Sequence, residues 1–484
     1  MTVVPYRPAA PKRTRTPAIA GGAIALLVAA VVWGAFAFGA VYPWAYWPLA
    51  ACALAVGITG VTLPLCAGAA ARVPGLRLIA GAFGVFLVAG ALQIVPLPLS
   101  QLATLSPEAS TVLARLDLGF IAGAPARHPL SIAPARTVVA LALFASFALL
   151  VLGCARLLSI RGARRMAEAI AIVGVSLAFA AIVQKPFATE KVYGLWTPID
   201  GGSPYGPFVN RNHFAGWMLM GLPLTLGLLC AMLSRAMRGV RPYWRDQLMW
   251  LSTPDASLIL LTGGGTLVMA ISLVLTLSMS GMMALALAIG ITGACVIRRR
   301  WTRGRTAAAI AYLALLFVVA YGWAGADVIA SRFADSNWTE LDSRRGAWSD
   351  ALDVNARFPL TGTGLNTYGV ATIVYQRHDL ARHYEQAHND YLQLLAEGGV
   401  LLAVPAGLCV FVFARTVRRR FRDETSTTAY WLRVGAVTGL AAIALQETFD
   451  FSLQMPGNAL LFAVLCGIAL HVAPPKPDAH GAQV

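Results

Sequence analysis

The stretch from residue 281 to residue 305, GMMALALAIGITGACVIRRRWTRGR, decides the fold. Residues 281–297 carry no charge, and five arginines follow directly after them, within residues 298–305. A helix needs about 20 apolar residues to cross the ~30 Å hydrocarbon core of a bilayer. In lipid, a helix pairs its backbone polar groups internally. The apolar run therefore predicts a membrane-spanning helix, and the arginines indicate the side on which it ends.

The same pattern recurs along the 484-residue chain, which is 58% hydrophobic and only 12% charged. Soluble domains carry about 25% charged residues. The sequence therefore predicts an all-α polytopic membrane protein with about twelve transmembrane helices. The predicted helices span residues 18–39, 45–68, 77–97, 137–156, 166–184, 213–233, 257–277, 281–297, 306–324, 398–414, 429–446 and 456–473.

The basic residues orient these helices. With alternating helices, 25 of the 38 Lys and Arg residues fall in loops and tails on one side and 12 on the other, while Arg433 lies within a helix. Because cytoplasmic loops carry the excess of positive charge, both termini are predicted to be cytoplasmic. The net charge of +16 does not indicate a nucleic-acid partner, since the basic residues are not gathered in one domain with stacking aromatics.

This predicted topology divides the chain into a basic cytoplasmic tail (1–17), helices 1–9 (18–324), a large loop domain on the non-cytoplasmic side (325–397), helices 10–12 (398–473) and a second cytoplasmic tail (474–484). The large loop, between helices 9 and 10, is predicted to be partly helical, with one helix near Arg344 and another starting near His388. The seven cysteines lie inside apolar runs, so no disulfide framework is expected.

Residues 208–216, FVNRNHFAG, enter the sixth helix from the non-cytoplasmic side. Asn210 or Asn212 can cap the free N–H groups of the helix start. Arg211, with His213 nearby, lies at the positive end of the helix dipole and favours a phosphate or diphosphate. The alternative is that Arg211 only anchors the helix end among lipid headgroups.

A second candidate anion site is the pair Arg344 and Arg345 in the large loop, with Trp348 close behind. Guanidinium groups bind phosphate oxygens in a bidentate manner, so two arginines can clamp a phosphate. A solvated charged face is the commoner fate of such a pair, and the sequence leaves both interpretations open.

A third candidate is His388, whose ordinary pKa near 6.5 suits a general base. A cap or a surface position is the alternative. His378, His383 and His388 are spaced by five residues, which on a helix turns each by about 140° from the last, so we expect no metal site. The glycines 263–265 lie within a predicted helix and are interpreted as allowing close helix packing.

Four stretches together resemble the O-antigen ligase and polymerase-related membrane family. They are residues 208–216, the segment from Arg344 to the turn 359–364 (PLTGTG), residues 388–399 (HNDYLQLLAEGG) and residues 449–456 (FDFSLQMP). The resemblance covers about residues 200–470. It implies a metal-independent, inverting glycosyltransferase without a cofactor, which takes a glycan from undecaprenyl diphosphate at the periplasmic face of the bacterial inner membrane.

In this resemblance His388 is the catalytic residue that activates the acceptor hydroxyl, and Arg211 and Arg344 hold the diphosphate. Arg345, Asn210, Asn212 and His213 complete the implied donor site, with Asn389, Tyr391 and Arg382 in support. Many relatives carry an arginine where this chain has Met279, so either the clamp has fewer cations here or Arg345 or Arg382 substitutes.

The expected acceptor is the lipid A core, as in a ligase. An O-antigen or exopolysaccharide polymerase and a protein O-oligosaccharyltransferase remain alternatives, and the sequence does not name the sugar, the acceptor or the oligomeric state. A lipid-linked-sugar transporter is less favoured, because transporters place ionisable groups at mid-membrane and the centres of these helices are nearly free of charge.

Overall fold

The computed structural model describes residues 16–67, 73–123, 126–187, 190–199, 201–237, 244–299, 303–323 and 337–474. The tails predicted at 1–17 and 474–484 lie almost wholly outside these residues. The helices are α1 (Thr16–Phe36), α2 (Pro43–Ala67), α3 (Leu76–Leu92), α4 (Leu99–Leu105), α5 (Pro107–Leu116), α6 (Leu118–Ile121), α7 (Pro134–Arg161), α8 (Arg164–Gln184), α9 (Arg211–Ala236), α10 (Trp244–Leu251), α11 (Pro254–Leu275), α12 (Met279–Arg298), α13 (Arg303–Trp323), α14 (Asn337–Arg357), α15 (Tyr368–Tyr375), α16 (Asp390–Asp423), α17 (Thr427–Gln446) and α18 (Pro456–Leu470).

The all-α polytopic fold is confirmed. Ten helices of the described chain are long and apolar enough to cross a membrane, and α3 and α18 are shorter apolar helices. Each of the twelve predicted segments coincides with one of these. The largest difference is α16, which was predicted at 398–414 and runs from Asp390 to Asp423. It starts early because the Asn389 side chain accepts hydrogen bonds from the backbone N–H groups of Tyr391 and Leu392.

Helix α9 lies at the centre of the bundle and is the most buried of the candidate spans. It packs closely on α17, where a Cβ on Gly435 would lie 2.5 Å from the carbonyl oxygen of Pro223. Helices α2 and α7 meet in the same way at Gly57 and Gly153. Small residues let helix backbones approach, which is the main source of attraction between helices in lipid. We call the end of the bundle where α9 and α12 begin the loop end, and the opposite end the arginine end.

The interpretation of residues 263–265 as a close-packing motif is wrong for two of the three glycines. A Cβ on Gly265 would lie 2.8 Å from Val175 of α8, as close packing requires. A Cβ on Gly264 would meet nothing within 4 Å, and one on Gly263 would only reach Tyr312 at 3.9 Å. The reason is that α11 faces α8 with one side only, and Gly263 and Gly264 lie on another.

The large loop packs together with the segment between α3 and α7. Val112 and Leu113 of α5 share a hydrophobic core with Ala351 and Phe358 of α14 and with α15. Glu108 accepts a hydrogen bond from the hydroxyl of Tyr375 (2.9 Å). This segment also contains the short antiparallel pair β1 (Leu97–Pro98) and β2 (Arg127–His128). Two loops that are distant in sequence therefore build one cap over the loop end.

A clasp formed by the turn 359–364 and the kink in α16 fixes the cap to the bundle. Gly362 and Gly399 both have positive φ (63° and 53°), a conformation that favours glycine. A Cβ on Gly362 would lie 2.1 Å from the carbonyl oxygen of Glu397, so no side chain fits. The buried carboxylate of Glu397 accepts hydrogen bonds from the backbone N–H groups of Asn366 (2.7 Å) and Tyr368 (3.0 Å). The clasp thus fixes the position of the start of α16 and of His388, which precedes it.

At the arginine end, arginine side chains donate hydrogen bonds to the carbonyl groups at the end of α18. Arg433 is wholly buried and donates to the carbonyl oxygens of Ala469 (2.9 Å) and His471 (2.8 Å). Its charge is paired with Glu424 at 2.9 Å. Arg420 of α16 donates to the carbonyl of Leu470 (3.1 Å). Arg433, the one basic residue predicted to lie within a membrane-spanning helix, therefore caps the end of a neighbouring helix.

Candidate active site

Asp450, in the linker between α17 and α18, is the point at which three distant stretches meet. Its side chain is fully buried, and its carboxylate lies 3.8 Å from Nε2 of His213 and 3.9 Å from Nη2 of Arg344. The side-chain amide of Asn212 also hydrogen-bonds to it. Burial raises the pKa of Asp450, and the Arg344 guanidinium opposes that shift. The start of α9, helix α14 and the linker therefore converge on one carboxylate.

His388, which lies at the end of the large loop just before α16, is next to this carboxylate. Its φ of 50° is unusual for a residue other than glycine, and such conformations persist where surrounding contacts enforce them. The ring meets the edge of Phe451 at 4.9 Å between centroids, and the backbone carbonyl accepts a hydrogen bond from the Trp348 indole (3.3 Å). Nδ1 is shielded from solvent and has no hydrogen-bond partner in the described chain.

Burial lowers the pKa of His388 to about 4, although the Asp450 carboxylate acts in the opposite direction. Arg344 and His213 lower it further. The imidazole is therefore neutral at neutral pH and has a nitrogen free to accept a proton. A buried imidazole beside a carboxylate is a suitable arrangement for general-base chemistry, because the carboxylate stabilises the imidazolium once it forms.

A pair of carboxyl groups holds the start of α16 against the linker. The side chains of Asp390 and Glu447 interact with each other. Burial and the neighbouring Asp390 raise the pKa of Glu447 well above its ordinary value. Gln454 donates to Asp390 (2.7 Å), and the backbone N–H of Asp390 donates to the carbonyl of Glu447 (3.0 Å). These bonds position His388, two residues before α16.

The predicted residues at the start of α9 serve in different ways. Asn210 is the N-cap, accepting from the backbone N–H of Asn212 (2.9 Å). Arg211 is the first residue of the helix and is half-buried, and its backbone N–H donates to the carbonyl of Ser203 (2.8 Å). Gln446 of α17 donates to the carbonyl of Asn212 (2.9 Å). Asn212 and His213 thus reach Asp450, and Arg211 lies one residue earlier.

The predicted supporting residues divide between structural contacts and exposed charges. Asn389 caps α16 and donates from Nδ2 to the carbonyl of Thr448 (3.0 Å). The hydroxyl of Tyr391 donates to the carbonyl of Ala444 on α17 (2.7 Å). Both contacts hold the His388 segment against α17 and its linker. The side chains of Arg345 and Arg382 are exposed, with Arg345 next to Arg344 on α14.

The three histidines spaced by five pair with three different carboxylates. Nδ1 of His378 lies 2.7 Å from Asp350, and Nε2 of His383 lies 3.6 Å from Glu385, whereas His388 neighbours Asp450. Among the residues that the structure describes, no group of three His, Cys, Asp or Glu side chains is arranged to hold a metal ion.

Met279, the position at which the family resemblance implies an arginine, is the first residue of α12 and is half-buried against the bundle core. Two residues later, a Cβ on Gly281 would lie 3.0 Å from the Cβ of Ala215 on α9. Position 279 is therefore at the loop end, close to the start of α9 where Arg211 lies. A cation at this position would face the same region as Arg211, so its absence bears directly on the proposed clamp.

Sequence reasoning missed Asp450, Glu447 and Phe451 as members of the site. The available signal was the pair of acidic residues, 447 and 450, between two apolar helices. Ionisable groups inside membrane spans are rare and commonly functional, and Glu447 directly follows a predicted span. That the pair faces His388 and Arg344 depends on tertiary packing, which the sequence does not reveal.

A comparison with protein families finds one matching model, described as O-antigen ligase, over residues 264–406. The matched segment begins within α11 and ends within α16, so it contains Arg344 and His388, while Arg211 and Asp450 lie outside it. No curated protein matches the chain.

Proposed function

We propose that this chain, which belongs to an O-antigen ligase-related family, moves a glycan from undecaprenyl diphosphate to an acceptor. The family match supports glycosyltransferase activity of the ligase or polymerase type on lipid-linked glycans. Our proposal is narrower: a ligase that uses the lipid A core as acceptor, inverts the anomeric centre and needs no metal ion. The site would lie at the periplasmic face of the inner membrane, since the arginine-rich loops belong to the opposite face.

One observation supports this proposal above the others. His388, neutral and partly enclosed, lies in the same site as the Arg344 guanidinium, and Asp450 is adjacent to both. A proton acceptor and a fixed cation in one site are what transfer from a diphosphate requires: the first activates the acceptor and the second stabilises the leaving group.

In the proposed reaction, the acceptor hydroxyl oxygen attacks the anomeric carbon while the bond from that carbon to the diphosphate oxygen breaks. The hydroxyl proton passes to His388, and the bonding electron pair leaves with undecaprenyl diphosphate. Arg344 and Arg211, with Arg345 at the rim, stabilise the charge on the departing diphosphate. Attack opposite the leaving group inverts the anomeric centre in one step.

Asp450 would act through His388 and not on the substrate. Its carboxylate is buried and already near two imidazoles, so it stabilises the imidazolium that forms as the acceptor loses its proton. Asp450 also holds Arg344 at a fixed place, 3.9 Å away. We therefore regard it as a positioning residue.

The test is transfer by the purified protein in proteoliposomes with an undecaprenyl-diphosphate-linked glycan and three separate acceptors: lipid A core, a second donor molecule and a protein. We expect His388→Ala to lower the rate by about 10²–10⁴-fold, the usual contribution of a general base. His383→Ala is the matched control, because His383 is an exposed histidine of the same loop. Near-normal transfer by His388→Ala would exclude the catalytic role.

Two further variants test the donor site. Arg344→Ala and Arg211→Ala should weaken apparent donor affinity, while Arg377→Ala, an exposed arginine of the same cap, should not. The acceptor that yields product decides between ligase, polymerase and protein glycosylation. Unchanged donor affinity in both site variants would contradict the proposed diphosphate clamp while leaving His388 to be judged separately.

A further inference from the structure

A cavity of about 380 Å³ lies between α9, α11, α12 and α13, away from the His388 site. Its lining is almost entirely apolar and includes Leu229, Leu233, Ile259, Val296 and Leu313. Taking the ~30 Å³ that one water molecule occupies in the liquid as a rough volume for a methylene group, the cavity has room for about a dozen methylenes.

Gly263 and Gly264 keep this cavity open. Neither glycine packs closely on a neighbouring helix, and both line the cavity. Gly264 is exposed, so the cavity opens beside it, between α11 and α13. Leucine or isoleucine, the usual residues of such a helix, would extend side chains into this space.

The hydroxyl groups in the lining are already hydrogen-bonded within the protein. Tyr312 donates to the carbonyl of Gly263 (2.7 Å), and Thr292 donates to the carbonyl of Ala288 in its own helix (2.8 Å). A polar ligand would therefore gain little here and lose its hydration, whereas a hydrocarbon chain would fit without penalty. The chemistry of the lining selects an apolar chain.

The position of the cavity indicates which hydrocarbon occupies it. Its α9 residues, 226–233, follow Arg211 by 15 to 22 positions, which is roughly 23–33 Å along the helix. Lipids of the leaflet at the loop end extend only to the midplane, about 15 Å from their interface. An acyl chain that reaches the cavity thus comes from the leaflet at the arginine end.

The headgroup region at that end is basic. Arg235 lies in the last turn of α9, and Arg298 ends α12. Arg305, near the start of α13, donates to the carbonyl of Met237 (2.6 Å). A second hollow, of about 170 Å³, is lined by Arg235, Arg164 and Asp255 and shares Ile259 with the cavity. Arg164 is paired with Glu168, and Asp255 is itself acidic, so Arg235 provides the main attraction for an anion.

We propose that this cavity is a binding site for one acyl chain of an anionic membrane phospholipid, whose phosphate group lies at the Arg235 end. Trp250, which lines the cavity from α10, is at the depth where tryptophan prefers to lie, between hydrocarbon and headgroups. The site is separate from the glycosyl-transfer site, and its existence does not depend on the proposed reaction.

The test uses phosphatidylglycerol with a photoreactive diazirine in its acyl chain, with the protein in nanodiscs, and locates the cross-links by mass spectrometry. We expect labelling of the α11 and α13 residues that line the cavity. Gly264→Phe should lower this labelling about tenfold or more, because excluding even two methylenes weakens binding by that factor. Gly264→Leu, which is less bulky, should lower it in the same direction.

Gly290→Phe is the matched control, because Gly290 is an exposed glycine of α12 whose Cβ would also meet nothing within 4 Å. It should leave the labelling unchanged. Arg235→Gln should reduce labelling by phosphatidylglycerol and not by the zwitterionic phosphatidylcholine probe. Equal labelling in Gly264→Phe and wild type would overturn the site. A photoreactive polyprenyl phosphate that displaces phosphatidylglycerol would overturn our choice of occupant.

Discussion

The contact between Arg344 and Asp450 can be tested by a double-mutant cycle of Arg344→Met, Asp450→Asn and the double variant. Both substitutions keep the approximate size of the side chain and remove its charge. Nη2 of Arg344 lies 3.9 Å from Oδ2 of Asp450, which is too long for a hydrogen bond, so the coupling between them is mainly Coulombic.

The expected magnitude follows from that distance. Two unit charges 3.9 Å apart interact by about 4 kcal/mol at an effective dielectric constant of 20 and by about 1 kcal/mol in water. Asp450 is fully buried and the Arg344 side chain is 15% exposed, so we expect a coupling of about 2 kcal/mol, between these limits. Removing one partner of a buried pair costs ~3–5 kcal/mol. Arg344→Met should lower the free energy of unfolding by about 3 kcal/mol, the lower end of this range, because His213 and Asn212 still face Asp450.

The assay is the free energy of unfolding in dodecyl sulfate titrations, followed by the reaction of a thiol-specific dye with the buried cysteines Cys154 and Cys466. Independent effects add to within ~0.3–0.5 kcal/mol. If the two single substitutions add to within that margin, Arg344 and Asp450 are not coupled and Asp450 does not position Arg344. Arg377→Met combined with Asp450→Asn is the additive control.

Two further predictions concern the segments that position the site. Burial lowers the pKa of His388 to about 4, so the unfolded chain takes up a proton before the folded chain does as the pH falls. Between pH 7 and pH 5, the free energy of unfolding of wild type should therefore fall by up to about 2 kcal/mol relative to His388→Gln, measured by the same titration. An equal loss in both proteins would contradict this burial. Glu397→Ala removes the hydrogen-bond acceptor of Asn366, Tyr368 and Gln393. It should lower the free energy of unfolding by about 4 kcal/mol, at roughly 1–3 kcal/mol for each buried donor left unpaired. Glu397→Gln, which keeps one oxygen, should cost about half as much, and equal costs would show that these hydrogen bonds do not stabilise the clasp.

The membrane-spanning helices could be predicted from the sequence because their signal is local. An apolar run near 20 residues specifies a helix whatever surrounds it, and the predicted segments fall within a few residues of the observed ones. The exception, α16, extends beyond its apolar run because Asn389 caps one end and because its arginine-rich end, about Arg418, remains helical.

The site could be predicted only as separate stretches. His388, Arg344 and the start of α9 were identified from residue type and position, whereas Asp450, which joins them, becomes recognisable only when α17 and α18 bring the linker beneath the cap. Gly264 and Gly265 show the same limit. They are adjacent in one predicted helix, yet Gly265 packs against α8 and Gly264 lines a cavity. The sequence of α11 alone does not reveal which helix each glycine faces.

The arginine caps on α18 bear on how the protein is assembled during synthesis. Fifteen residues rise only about 22 Å, less than the ~30 Å of hydrocarbon, so α18 by itself would leave its final carbonyl groups unpaired in the bilayer. Arg420 and Arg433 satisfy those groups, and they belong to α16 and α17. We therefore expect α18 to be inserted stably only together with the two preceding helices, because they supply the hydrogen-bond donors for its final carbonyl groups.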